Sequence, residues 1–432
     1  MLITSAKPGL SFVPEDVLKA MEKIRRAGFS VWLVGGAVRD FLRGIQPRDW
    51  DLATSAKSVE IISLFPSVIP VGLRHGTVQV HTRIRDIEVT SIAVSKEAGI
   101  VEDLARRDFT INSMALSYPE GALLDPNAGR RDLAAGLIRG VGEPAARFLE
   151  DPLRIVRAAR LCGMYGFQID PATLEAMIEL APNLAEVSGE RIRDEILKIL
   201  TSPDLFRAFE LLRQSGALQI LLPSLHPVLP LNGSGVSILD HTLACILSCP
   251  PRIRLRLAAL FHKAALSCED PAAGGDSRSP SAAVAVETMK SWNMSNRLTG
   301  EVAMLVSRQF DEQTFSWSDA SLRRFITGVG RELVEDFLDL AKARALSGVW
   351  SPVDIDRLRA RVKAQLGAIS AFSVRDLALG GNDVIKILSI GPGPQVGKVL
   401  QNLFDLVQQD PGLNTRESLT RIVEQNYRAP ER

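Results

Sequence analysis

A chain of 432 residues with 46% hydrophobic content and a mean hydropathy of +0.09 can bury a sizeable core, divided among roughly two to four domains. Fifty-one Lys and Arg against 50 Asp and Glu leave a net charge of +1, which excludes a global cationic field, so any anionic partner is held by local patches. The four cysteines, Cys162, Cys245, Cys249 and Cys268, form no CxxC pair and are too sparse for a disulfide scaffold, while the amino-terminal MLITSAKPGLSFVPED lacks a secretory pattern and no apolar run could span a bilayer. A cytoplasmic protein without membrane contact is expected.

In chain order, PEDVLKAMEKIRRAG predicts a helix with Val17, Leu18, Met21 and Ile24 on one face and Gly28 as its stop. FSVWLV predicts a strand running into a Gly35-Gly36 turn, AVRDFLRG a short helix ending at Gly44, and DWDLA a second strand. Apolar runs at VIPVG, GTVQVHT and IEVTSIAV extend a small mixed α/β domain. Beyond about residue 140 strand signals stop, and RFLEDPLRIVRAARLCGMYGF, ERIRDEILKILTS, DLFRAFELLRQSGAL, RIRLRLAALFHKAAL and ESLTRIVEQNY all read as helix. CEDPAAGGDSRSPSAA reads as a loop and GPGPQ as a turn, with no internal repeat.

The stretch LVGGAVRDFLRGIQPRDWDLAT concentrates chemistry. Residues two apart in a strand share a face, so Asp49 and Asp51 project together while Trp50 and Leu52 point into the core. Two carboxylates on one site either repel, raising a pKa, or hold divalent cations suited to phosphoryl transfer, and Mg²⁺ suits oxygen ligands. The plainer alternative is a turn capped by Asp49 and a solvated Asp51. A strand ending in Gly35-Gly36 at a helix start lets the backbone approach an anion, and Arg39 sits one helical turn in. Asp86 and Glu88 share a strand face in DIEVT, and Glu88 is the better candidate for a third carboxylate.

Taken in order, GGAVRD, RDWDLATSA, GLRHGTVQV, EDLARRDFTINSMAL and EDPLRIVRAARL resemble the bacterial class II tRNA nucleotidyltransferase and poly(A) polymerase family, within the polymerase-beta-type superfamily. The resemblance covers residues 15 to 240 well and reappears in LALGGNDVIKILSIGPGPQVGKVLQNL. It implies an α/β nucleotidyltransferase head with a polymerase-beta-like mixed sheet, followed by an all-α neck, body and tail: head 1–140, neck 141–205, body 206–330 and tRNA-binding tail 331–432. The implied activity is untemplated addition of C, C and A to a tRNA 3′ end from CTP and ATP with Mg²⁺.

Carried over residue by residue, the resemblance makes Asp49 and Asp51 the metal ligands and brings Gly35, Gly36 and Arg39 to the triphosphate; Glu88 is the better fit for a further catalytic carboxylate, with a solvated strand face as an equal alternative. Arg106, Arg107, Asp108 and Asn112 in RRDFTIN match the segment that contacts phosphate and ribose hydroxyls. Asp151 and Arg154 in EDPLR lie three apart on a helix and offer an acceptor beside donors, complementary to the edges of cytosine and adenine; the resemblance assigns them base selection. Asp151 before Pro152 is equally an ordinary helix start. Arg157 and Arg160 continue a basic stripe suited to triphosphate or RNA backbone, with coverage of apolar surface as the alternative.

Two departures matter. Between IEVTSIAVS and EDLARRDFTIN only KEAGIV intervenes, where the family usually carries a longer flexible segment thought to help switch the pocket from CTP to ATP. This ranks CC addition, with a separate A-adding enzyme completing the same tRNA, above complete CCA addition; A addition, poly(A) synthesis and an inactive RNA-binding protein rank lower. In DHTLACILSCPPRIRLRLAALFHKAAL, His241 and His262 occupy places expected for a His-Asp phosphohydrolase pattern, but Lys263 stands where the metal-binding Asp belongs. An ammonium cannot ligate a cation, so a packed helical remnant without hydrolase activity is expected.

Overall fold

The computed structural model describes residues 9–72, 76–92, 98–225, 237–265, 279–308, 312–346 and 351–427. The chain forms two compact units, Met1–Pro223 and Ser224–Arg432.

The first unit opens with α1 (Glu15–Arg26), acidic in its first turn and basic in its last, as the helix dipole favours. Gly28, at φ +93°, turns the chain out of it. Then follow β1 (Val31–Val34), α2 (Gly36–Leu42), β2 (Asp51–Thr54), α3 (Ser58–Leu64), β3 (Val68–Gly72), β4 (Thr77–His81), β5 (Asp86–Ser91), α4 (Ala98–Ala105), β6 (Ala115–Ser117) and β7 (Leu123–Leu124). The strands make one mixed sheet in the order β3-β4-β5-β2-β1-β6-β7, in which β2 and β5 run parallel and the other neighbours antiparallel. All four residues of β1 are buried, as a strand covered on both faces requires.

The register fixes the geometry that matters. Asp51 opens the middle strand opposite Val34, the last residue of β1, and opposite Glu88 on β5. Trp50 and Leu52 are buried, as the alternation predicts. Asp49, however, lies in the bend before β2 and not in the strand itself, because the chain is still turning out of Pro47 and Arg48.

Next come α5 (Gly129–Ala135), β8 (Leu137–Ile138), α6 (Pro144–Glu150), α7 (Leu153–Tyr165), β9 (Gln168–Ile169), α8 (Pro171–Leu180), α9 (Gly189–Leu200), α10 (Leu205–Gln214) and α11 (Ala217–Leu221). Two expectations are corrected here. The run RFLEDPLRIVRAARLCGMYGF is two helices, broken where Asp151 adopts an extended backbone before Pro152, which disfavours helix at the residue preceding it. Strands also continue past residue 140, since β9 pairs with β8 in parallel; two-residue strands carry no periodicity to read. Gly163 lets α7 press against α10: a Cβ there would stand 2.8 Å from both the Asp204 carbonyl and the Ala208 Cβ.

The second unit is helical throughout its described residues, with α12 (Ile238–Ser248), α13 (Ile253–Phe261), α14 (Pro280–Ser291), α15 (Asn296–Ser307), α16 (Asp319–Val329), α17 (Val334–Leu346), α18 (Pro352–Ala368), α19 (Gly381–Leu388), α20 (Pro394–Gln409) and α21 (Arg416–Tyr427). Buried Asp336 on α17 ion-pairs with Arg252 and Arg254. Val384, Val399, Leu403, Leu419 and Val423 make a core from the last three helices. The CEDPAAGGDSRSPSAA loop lies mostly outside the described residues, as do Leu73, Arg74 and His75 of GLRHGTVQV and Lys96 and Glu97 of KEAGIV.

Candidate active site

The turn between β1 and α2 is built on Gly35, whose φ of +70° is a conformation that L side chains rarely adopt. A Cβ at Gly35 would stand 2.9 Å from Arg107 Nη1 and 3.4 Å from an Asp51 carboxylate oxygen. The glycine therefore leaves room for a guanidinium and a carboxylate at the end of the middle strand.

Around it lies a cleft of about 380 Å³, lined by Gly35, Gly36, Arg39, Asp49, Asp51, Arg107, Asp108, Asn112, Arg154, Arg157, Arg160 and Lys198. Six cationic side chains face three carboxylates, an excess that suits a polyanion. Burial first, and then the charge of Glu88, pushes the Asp51 carboxyl up to about 6, with Arg107 pulling it back and Asp49 adding to the rise. Asp49, Asp51 and Glu88 thus form one electrostatically coupled group, although Glu88 stands outside the residues that line the cleft. Asp86, on the same strand face, is engaged elsewhere, with His81 Nδ1 at 2.5 Å and Gln79 Nε2 at 3.2 Å.

Arg39 is buried and held from three sides. Its Nη1 donates to Asn112 Oδ1 and its Nε to Asp40 Oδ1, and its guanidinium lies 4.8 Å from the centre of the Tyr165 ring. Asn112 in turn donates through Nδ2 to Asp108 Oδ1 at 3.0 Å. Burial works against ionisation of Asp108, but Arg157 at 3.4 Å, Asn112 and the Phe109 amide outweigh it and hold the carboxyl below its ordinary value. This segment is fixed from behind by Asp132, which accepts from Thr110 Oγ1 at 2.8 Å and from Arg139 Nε at 3.0 Å. Gly129 permits the approach, since a Cβ there would collide with the Thr110 carbonyl at 2.0 Å.

Of the RRDFTIN residues, Arg107, Asp108 and Asn112 reach the cleft. Arg106 does not line it: the residue is exposed, and its carbonyl accepts from Arg154 Nη2 at 3.0 Å. Arg154 lines the cleft while bonded to Glu150 and the Arg147 carbonyl. Asp151 is not among the lining residues; its carboxylate accepts from Arg191 Nη2 at 2.7 Å and from the Leu153 amide. The expected Asp151–Arg154 partnership is one of sequence proximity, with each side chain bonded to other groups.

Two residues escaped the sequence reading. Lys198 on α9 lines the cleft, and the buried Glu195 one turn before it ion-pairs with Arg160 at 2.6 Å and lies 4.0 Å from both Arg157 and Lys198. The signal was present in ERIRDEILKIL, where an acidic and a basic residue three apart flank an apolar face. Only the packing of α9 on α7 brings them to the Arg157–Arg160 stripe.

Comparison with known proteins identifies the family. The profile of the poly A polymerase head domain matches residues 31–139, that of the RNA and SrmB-binding site of polymerase A residues 166–229, and that of tRNA nucleotidyltransferase domain 2 residues 280–423. The CCA-adding enzyme of Geobacillus stearothermophilus is 30% identical over 419 residues, covering 94% of this chain and 95% of that one. That of Lactococcus lactis subsp. cremoris is 32% identical over 418 residues, covering 92% and 94%. Among solved structures, the Bacillus stearothermophilus CCA-adding enzyme in complex with CTP superimposes with a TM-score of 0.72 at 27% identity, covering 95% of this chain and 96% of that one. With the mixed-sheet head, the helical remainder and near full-length similarity all in agreement, the chain belongs to the bacterial tRNA nucleotidyltransferase family that includes the CCA-adding enzymes.

Proposed function

We propose that this nucleotidyltransferase adds C residues to the 3′ end of tRNA from CTP without a nucleic-acid template, stopping at CC and leaving the terminal A to a separate enzyme. The observation that carries the transfer chemistry is the coupled carboxylate group set against six cations in one cleft.

Asp49, Asp51 and Glu88 are the residues that would hold Mg²⁺. They fit it: all offer oxygen, and the burial and neighbouring negative charge that together raise Asp51 are what a divalent cation offsets. When bound, such ions supply charge stabilisation to the attacking and leaving oxygens of an in-line phosphoryl transfer. The Gly35-Gly36 turn leaves the triphosphate a close approach to backbone amides. Arg39, Arg107, Arg157, Arg160 and Lys198 neutralise its oxygens, and Asp108 and Asn112 present acceptor and donor groups to the ribose. For base selection, the nucleobase takes the place of Glu150 at Arg154 and of Arg191 at Asp151, since those groups occupy the same donors and acceptors.

The stop at CC rests on chain length. Strand β5 ends at Ser91 and α4 begins at Ala98, so only residues 92–97 connect them, of which 93–97 lie outside the described residues. Complete CCA addition is the second reading, favoured by the activity named for the near full-length relatives. The acceptor arm of tRNA is the macromolecular partner. No helix among the described residues is long and apolar enough to cross a membrane.

The test is incorporation of CTP and ATP, separately and together, on tRNA ending at the discriminator base, in C, or in CC. Extension of the first two by CTP with no extension of the third by ATP supports the CC reading. Efficient completion of the CC-ended tRNA by ATP replaces it with full CCA addition, and no incorporation of either nucleotide rejects both.

A further inference from the structure

The carboxy-terminal unit contains a second cluster of ligand-type side chains that nucleotide transfer does not use. His241 and Cys245 are four residues apart on α12 and so share a face, and His262 caps the end of α13; all three are buried. Their donor atoms converge. His241 Nε2 lies 3.1 Å from His262 Nε2, and Cys245 Sγ lies 3.6 Å from the first and 3.9 Å from the second. A tetrahedral Zn²⁺ with Zn–N of about 2.0–2.1 Å and Zn–S of about 2.3 Å sets its nitrogens about 3.3 Å apart and nitrogen from sulfur about 3.6 Å. The triangle formed by these three side chains has those dimensions to within about 0.3 Å.

The surroundings orient the ligands. His262 Nδ1 is 2.6 Å from the Ala259 carbonyl, so Nδ1 carries the proton and donates it there, leaving the Nε2 lone pair aimed into the cluster. With that tautomer fixed, a hydrogen bond between the two Nε2 atoms requires a proton on His241 Nε2, the position a cation would occupy instead. The charges of Lys263 and Arg344 act on both rings of the cluster. Lys263 and Arg344 oppose a bare dication, and a Cys245 thiolate supplies the offsetting negative charge; a soft donor also favours Zn²⁺ over Mg²⁺.

We propose that His241, Cys245 and His262 bind one Zn²⁺ through two imidazole nitrogens and a thiolate, with water in the fourth position, as a structural site joining α12 to α13. Binding releases the Cys245 thiol proton, and the His241 proton moves to Nδ1. Hydrolysis is no part of the proposal, because Lys263 fills the place of a ligating aspartate.

Full-length protein stripped with a chelator and titrated with Co²⁺ tests this directly. One equivalent should produce sulfur-to-cobalt charge-transfer absorption and the visible bands of a tetrahedral site, both displaced by one equivalent of Zn²⁺. Carboxylate-bound Co²⁺ in the active-site cleft gives no thiolate band, so the two sites are distinguished. Cys245→Ser should abolish the charge-transfer band, and His241→Gln should weaken binding at least about tenfold. Absence of the thiolate band in the wild-type protein, a measurement that needs no variant, overturns the proposal and leaves the two histidines holding each other by a hydrogen bond. Persistence of the band in folded Cys245→Ser overturns it equally, by placing the metal on another cysteine.

Discussion

Glu195→Gln is the sharpest probe of the cleft, because it removes one negative charge and almost no volume. Glu195 is buried, with Arg160 at 2.6 Å and Arg157 and Lys198 each at 4.0 Å. Removing one partner of a fully buried ion pair costs about 3–5 kcal/mol. Here Arg160 is 13% exposed, but Arg157 and Lys198 are 38% and 55% exposed, so water screens part of the loss and about 2 kcal/mol is expected. For a unit of this size that corresponds to a fall of about 4–8 °C in its melting temperature. A bound triphosphate supplies replacement negative charge to the same cations, so the gap between variant and wild type should narrow in saturating CTP. Thermal unfolding of both proteins with and without CTP measures each quantity. Equal melting temperatures without nucleotide, or a gap that CTP does not narrow, would refute the assignment of Glu195 as the counter-ion of the cationic stripe.

Arg154→Ala should cut kcat/KM for CTP by about 10- to 100-fold and reduce the preference for CTP over UTP, since a bidentate base contact carries about 1–3 kcal/mol of discrimination; unchanged CTP/UTP ratios would remove Arg154 from base selection. Gly163→Ala should lower stability by about 1–3 kcal/mol, because the added methyl meets the Asp204 carbonyl and the Ala208 Cβ at 2.8 Å, and a urea midpoint equal to wild type would show that the two helices separate without cost. Asp108 has a depressed folded-state pKa, so the stability it contributes is fully present above the ordinary carboxylate value of about 4 and is lost as pH falls through the folded value. Asp108→Asn should therefore be less stable than wild type at pH 7, with the difference shrinking below about pH 4; a difference that grows on acidification contradicts the ion-paired carboxylate.

Local pattern carried much of the first unit. The apolar run VWLV and the alternation in DIEVT mark their strands, and Gly28 and Gly35 stop or turn the chain where a positive φ is needed. It failed where neighbours in space are distant in sequence. The three-residue spacing in RIRDEILKIL pairs Glu195 with Lys198, but it does not announce that Glu195 also meets Arg157 and Arg160 of α7, since that contact is made by helix packing and not by periodicity. Asp151 shows the reverse case, in which proximity to Arg154 along the helix suggests a pair, yet its carboxylate turns to Arg191. The convergence of His241, Cys245 and His262 likewise depends on the angle between two helices, which their spacing in the sequence does not specify.

The pairing of β2 with β5 acts as a ruler for the carboxylate pair Asp51 and Glu88. Because Ile87 and Val89 are fully buried while Glu88 faces the other way, sliding β5 by one residue would send Glu88 into the hydrophobic interior and bring two aliphatic side chains out beside Asp51. The spacing of the carboxylates is thus enforced by the same side chains that exclude water from the sheet. Substitutions that loosen this core would blur the carboxylate spacing that the proposed transfer uses, so under that proposal tolerance of the fold and tolerance of the reaction to mutation are bound together at these two residues.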